Sequence, residues 1–164
     1  MTPEMTQYLT RELSVNGITN TFFNGVIAWL LLKDKGLLHW WGDHSFGVDV
    51  LATAFILPFI VTLIVIPMQR RKVAKAKVAI FEPSRNNLLE RCVASFPQSL
   101  FLSALLFGLA GFAIIAPLTL LGISLFGVES FSPGSYSIFK GLWAGTMAAL
   151  LVSPMILVGL RAQK

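Results

Sequence analysis

The chain has 164 residues, 55% of them hydrophobic, only 13% charged, with mean hydropathy +0.72 and a formal charge of +5. Soluble domains carry about a quarter charged residues, so this balance excludes an ordinary soluble domain and points to a bilayer protein. The one cysteine, Cys92, excludes an internal disulfide and a dithiol exchange enzyme working on its own cysteines.

The first residues, MTPEMTQYLTRE, place Met1, Met5, Tyr8 and Leu9 on one helical face, as a short interfacial helix lying against lipid would. A spanning helix needs about 20 apolar residues, and four runs reach that length without a charge at their centres: Leu13–Leu32, Phe46–Met68, Phe96–Leu125 and Phe139–Leu160. They leave no room for a separate soluble domain. The first run ends at KDKG without a small-residue cleavage pattern, so it reads as a retained helix rather than a signal peptide.

Within the first span, NGITNTFFNG sets Asn16, Asn20 and Asn24 four residues apart, a spread of about 80° on one face. Beside them Gly17, Thr21 and Gly25 recur at the same spacing. Small residues every fourth position let two helix backbones approach, and amides can bond across the contact for about 0.6–2 kcal/mol each. The stripe therefore reads as a helix seam, with a polar pocket or pathway as the alternative.

The loop KDKGLLHWWGDHS follows, its Trp40 and Trp41 suited to the headgroup boundary. His39, Asp43 and His44 cluster there beside Ser45, but no fixed scaffold or Cys/Glu cluster supports metal or nucleophile chemistry, so no metal, catalytic residue or cofactor is expected. Histidine is also absent from the spans, against a b-type haem bundle with axial ligands facing inward.

The second span carries Asp49 in its first turn and Pro58 and Pro67 further on. Pro58 frees the carbonyl of Ala54; such breaks occur at transporter sites, but prolines are common in membrane helices generally. Pro117 and Pro154 are the corresponding kink candidates in spans three and four. Asp49 and Lys140, both near the entry of a span, are expected at similar depth and to pair, as an anchor rather than a proton relay, since no charge lies mid-span.

After span two comes the basic run QRRKVAKAKVAIF. Arg70, Arg71, Lys72, Lys75 and Lys77 suit anionic headgroups or simple topological anchoring. In PSRNNLLERCVASF, Ser84 is a candidate N-cap for an amphipathic helix with Leu88, Leu89, Cys92, Val93 and Phe96 on one side, turning at Pro97 into span three. The stretch Arg85–Cys92, RNNLLERC, resembles the Arg/Asn/Glu cytoplasmic segment of the membrane-associated eicosanoid and glutathione metabolism proteins, four-helix chains of similar length. Two spans precede it here rather than one, and that family's later tyrosine- and arginine-bearing segments have no counterpart. The resemblance covers eight residues and implies little; a membrane enzyme, the last of the functional readings, would draw on the outer His39/Asp43/His44 cluster or on the cytoplasmic Arg85/Glu90 segment.

In the fourth span Gly141, Gly145 and Ala149 form a second small-residue stripe, with Ala144 and Ala148 alongside, expected to face the stripe of span one; self-association through that surface is the rival.

Ten of the 13 Lys and Arg fall at the termini and in the 69–95 loop, against Lys33, Lys35 and Lys140 on the other side. The positive-inside rule then places both termini in the cytoplasm, and the basic charge reports topology, not nucleic-acid binding. The expectation is an all-α, integral membrane four-helix bundle in a bacterial inner membrane, with a parallel tandem repeat of two hairpins left open. Its expected role is a non-enzymatic accessory or structural component, acting by packing with copies of itself or with a membrane-protein partner. The alternative is an oligomeric small-solute transporter or channel with its site at Asn20 and Asn24 near Pro58, and a membrane enzyme comes after it.

Overall fold

The computed structural model describes residues 2–84 and 88–162. It is all-helical apart from one two-residue ladder, and four of its helical segments are long and apolar enough to cross a membrane. Helix α1 runs unbroken over Pro3–Leu32, so the interfacial segment and the first span are one helix. Thr2 caps it, its hydroxyl accepting from the Met5 N–H at 3.3 Å, and Pro3 occupies the first turn, where a missing N–H costs nothing. The face expected to meet lipid turns inward: Leu9 is buried, and Met5 and Tyr8 pack against a core of Val65, Ile66, Val152, Ile156 and Leu160.

Helix α2 (Phe46–Ala74) continues past Met68 and carries Arg70–Lys72 on its last turns. Helix α3 (Leu88–Ser95) lies in the connection to the third span. That span starts at Leu100 rather than Phe96, because Ser99 caps it through the Leu102 N–H. It comprises α4 (Leu100–Ala110), one π turn (Gly111–Ile115) and α5 (Ala116–Leu125). Pro117 brings no N–H to the ladder, and the register slips just before it, with the Ala116 N–H reaching the Gly111 carbonyl. Helix α6 (Pro133–Leu160) begins six residues before Phe139, capped by Ser132 with Pro133 at its start. It continues through the half-buried Pro154 to Leu160.

The helices pack in an order unlike the chain order. Helix α1 lies on α6, α6 on α2, and α2 on α4. Sequence neighbours α1 and α2 meet chiefly through side chains near their ends. At the hairpin end, the α1–α2 and α5–α6 loops are tied by an antiparallel pair, β1 (Leu38–His39) with β2 (Ser130–Phe131). Trp40 adds a bond from its indole N–H to the Val128 carbonyl at 2.9 Å. Beneath the ladder, Leu38, Phe46, Ile123 and Tyr136 form a buried aromatic plug.

The 75–99 connection is held at the terminal end. The Phe81 N–H donates to the Leu160 carbonyl. The Arg161 guanidinium donates to the carbonyls of Val93 (2.7 Å), Ala94 (3.1 Å), Phe96 (2.9 Å) and Pro97 (3.4 Å), at and just beyond the end of α3. Helix α3 is rotated from the expected face. Val93 is buried with the half-buried Phe96 packed beside it, while Leu88, Leu89 and Cys92 are exposed. The rotation follows from Glu90, whose buried carboxylate accepts the Ser84 N–H at 2.8 Å and the Ser84 hydroxyl. Ser84 is thus engaged with Glu90; residues 85–87 of the expected N-terminal turn, Arg85 among them, lie outside the described residues.

Candidate functional site

The α1–α6 seam is built from the two small-residue stripes. A Cβ added at Gly141 would lie 2.8 Å from the Thr21 carbonyl oxygen and 3.1 Å from Gly25 Cα. One added at Gly145 would lie 2.7 Å from the Gly17 carbonyl oxygen and overlap the Thr21 hydroxyl, and one at Gly17 would meet Ala149 Cβ at 3.2 Å. Space requires glycine at 141 and 145, where only the absent side chain lets the backbones touch, while at Gly17 the contact is tight.

This seam follows the i, i+4 row 17–21–25, so the adjoining rows run beside it. On one side Ile18, Phe22 and Val26 are exposed, at 71%, 62% and 38%. On the other runs Tyr8, Glu12, Asn16, Asn20, Asn24 and Ala28, and its two ends belong to α2. At the terminal end the Tyr8 hydroxyl donates to Gln69 Oε1 at 2.6 Å, while Lys72 Nζ donates to Glu12 at 2.9 Å and to the Tyr8 oxygen at 2.8 Å. Gln69 is fully buried and its Nε2 has no hydrogen-bond partner among the described residues. At the hairpin end Ala28 shares a cavity with Asp49. The asparagines therefore lie on the α2 side of the seam, each half-buried. Their amides do not bridge helices: each Nδ2 donates to the carbonyl four residues back, Asn16 to Glu12 (2.8 Å), Asn20 to Asn16 (2.9 Å) and Asn24 to Asn20 (3.0 Å). Sequence spacing locates such a row but not the rotamer that turns it onto its own backbone.

Pro58 meets α4 and the π turn. The Ala54 carbonyl, left without its intrahelical donor, lies directly against Gly111, and a Cβ there would clash with it and sit 3.0 Å from Pro58 Cγ. The Thr62 hydroxyl donates to the Pro58 carbonyl at 2.7 Å. The kink is therefore packed in protein.

Asp49 and Lys140 are joined at the hairpin end, with Lys140 Nζ 2.7 Å from both carboxylate oxygens and the buried Tyr136 hydroxyl donating to one of them. Beside them lies a cavity of 320 Å³ bounded by α1, α2, α6 and the first loop. His39 pairs in β1, Asp43 is exposed on the loop, and His44 lines that cavity, so the loop cluster is dispersed. Among the described residues no group of three His, Cys, Asp or Glu side chains could hold a metal ion.

Of the basic run, Lys72 is tied to Glu12 and Tyr8, and Arg70 Nη2 donates to the Gln98 carbonyl at 2.6 Å. Arg71, Lys75 and Lys77 border an open groove with Ile64, Pro67 and Met68. The Arg161 clamp was missed in the sequence, where that residue read as a topology signal; its partners lie 64 to 68 residues away. Burial first, and then the charge of Arg70, pull the Arg161 guanidinium below its ordinary value.

Fold and site together define a polytopic helical membrane protein with a glycine-packed first helix. No family model, curated protein or solved structure matches the chain.

Proposed function

We propose that this chain is a non-enzymatic accessory or structural component of a bacterial inner membrane, acting through helix packing, with its termini and the 75–99 connection in the cytoplasm. The observation that carries this reading is how α1 is held. It joins the bundle chiefly through the glycine seam to α6 and leaves Ile18, Phe22, Phe23, Ile27 and Leu30 exposed along its length. A helix packed along its length on α6, and meeting α2 chiefly near its ends, offers most of its circumference to a second copy or to another membrane protein. A photo-crosslinking amino acid at Phe23, activated in intact membranes, is expected to give a protein adduct. Adducts to lipid alone, there and at Phe22 and Leu30, would overturn the reading.

The tandem-repeat reading gains support from the packing order. Ser45 and Ser132 are both N-caps, followed by Phe46-Gly47 and Pro133-Gly134. In that alignment Ala54 and Pro58 correspond to Gly141 and Gly145. The former pair receives Gly111 of the third span, the latter receives Gly17, Thr21 and Gly25 of the first. Each half's second span thus accepts the other half's first span, as a pseudo-twofold axis between α2 and α6 would require.

The second reading, a small-solute carrier or channel, is favoured by one observation. The half-buried row Asn16–Asn20–Asn24 has one edge toward α2 and its amide oxygens take no protein donor among the described residues.

A further inference from the structure

The cavity at the hairpin end has a polar end and an apolar end. Ala28, Leu31 and Leu32 of α1 with Leu38 form the apolar part; His44, Ser45, Asp49, Tyr136 and Lys140 form the polar part. Leu31, 68% exposed, makes its rim and is followed one turn away along α1 by the exposed Ile27. The opening therefore runs from the polar end toward the bilayer.

The free hydrogen-bonding capacity there is donor-rich. Asp49 is the single carboxylate among these residues, and it is consumed by Lys140 and Tyr136. An ammonium has three N–H donors, so Lys140 keeps at least one beyond the two carboxylate oxygens. Ser45 is only 7% exposed; its carbonyl accepts the Asp49 N–H at 3.3 Å, but its hydroxyl neither caps α2 nor makes another hydrogen bond among the described residues. Behind it the N–H groups of residues 46–48 have no acceptor within the helix, and the start of α2 carries the positive end of its dipole. His44 adds an imidazole, held there by a left-handed backbone (φ 57°).

A mostly buried serine whose hydroxyl caps nothing and opens into the cavity, beside an ammonium and a helix N-terminus, calls for an anionic ligand. We infer that this cavity binds a phosphoryl anion at Ser45, Lys140 and the start of α2. A singly charged phosphodiester fits better than a doubly charged monoester, because Asp49 stands beside it. The apolar wall leading to Leu31 and Ile27 suits the glycerol and acyl part of a phospholipid.

The test is native mass spectrometry of the purified chain in mild detergent, titrated with dioctanoyl phosphatidylglycerol, with dioctanoylglycerol, and with inorganic phosphate. The Arg71/Lys75/Lys77→Gln background removes competing headgroup contacts at the terminal end. One saturable phosphatidylglycerol adduct is expected, and it should persist in that background. Ser45→Ala should weaken it about tenfold, the loss of one hydrogen bond to a charged group. Because the Ser45 hydroxyl caps nothing, that variant should keep its helicity, so a folding defect cannot imitate the result. Lys140→Gln should weaken the adduct further. Inorganic phosphate binding as tightly as the lipid would still uphold the anion site and make a free phosphate its ligand. Equal binding of dioctanoylglycerol, or undiminished lipid binding by Ser45→Ala and Lys140→Gln alike, would overturn the proposal.

Discussion

At the scale of single residues, the polar groups of this chain are mostly occupied by one another, and Arg161 is the plainest case. Its planar fork reaches four carbonyls at the end of α3, where the helix dipole is negative and a cation is favoured. Arg161→Ala leaves those carbonyls without a charged donor, which costs about 2 kcal/mol by the usual worth of such bonds. The cost should appear locally: trypsin should cut after the exposed Arg91 faster than in the parent chain, while the spanning helices stay folded. Arg161→Lys keeps the charge but cannot fork, and should fall between the two. Unchanged cleavage of Arg161→Ala would mean that α3 is held by Val93 and Glu90 alone. Little of this could be read from the sequence. A terminal arginine after an apolar span has the same local signature whether it anchors topology or grips a distant helix. The Asp49–Lys140 pair was legible for the opposite reason, because span entry fixes the depth of both residues.

At the scale of elements, the close approaches decide which helices are neighbours. The stripes Gly17–Thr21–Gly25 and Gly141–Gly145–Ala149 were readable because a four-residue repeat fixes a ridge on each helix independently of any partner. The second close approach, Gly111 on Ala54, was not. It depends on a carbonyl that Pro58 frees on one helix and a π turn that Pro117 provokes on another, and neither proline locates the other. Gly145→Val should force the Thr21 side chain and the Gly17 backbone away, an overpacking cost of about 1–3 kcal/mol. The loss should be visible as a lower midpoint in detergent unfolding. Gly122→Ala, at a position with open space around the Cβ, should leave the midpoint unchanged or raise it slightly. Equal effects of the two substitutions would mean that the seam contributes nothing beyond local helix propensity.

At the scale of the whole molecule, membrane class followed from composition and the α1–α6 contact from the two small-residue stripes, whereas the rest of the order, α6–α2–α4, did not, because no periodic signal marks those apolar faces. The same limit separates the two functional readings. In a dry seam, three amides bonded to their own backbone still hold oxygens that lipid cannot satisfy, and an unsatisfied polar group in hydrocarbon costs several kcal/mol. Either another protein helix covers the row, or water reaches it between α1 and α2. Cysteines at Asn20 and Asn24, in a Cys92→Ser background, separate these outcomes. The accessory reading predicts no reaction with a membrane-impermeant polar thiol reagent in intact membranes. It also predicts that labelling appears once mild detergent strips away the covering partner. A carrier or channel predicts labelling in the membrane itself, slowed by its solute, and strongest at the position nearer the side from which the reagent is added. Lys77→Cys, exposed on the connection after α2, serves as the topology control. It should react only when the reagent reaches the cytoplasmic side, and reaction from the outside would invert the orientation derived from the ten clustered basic residues.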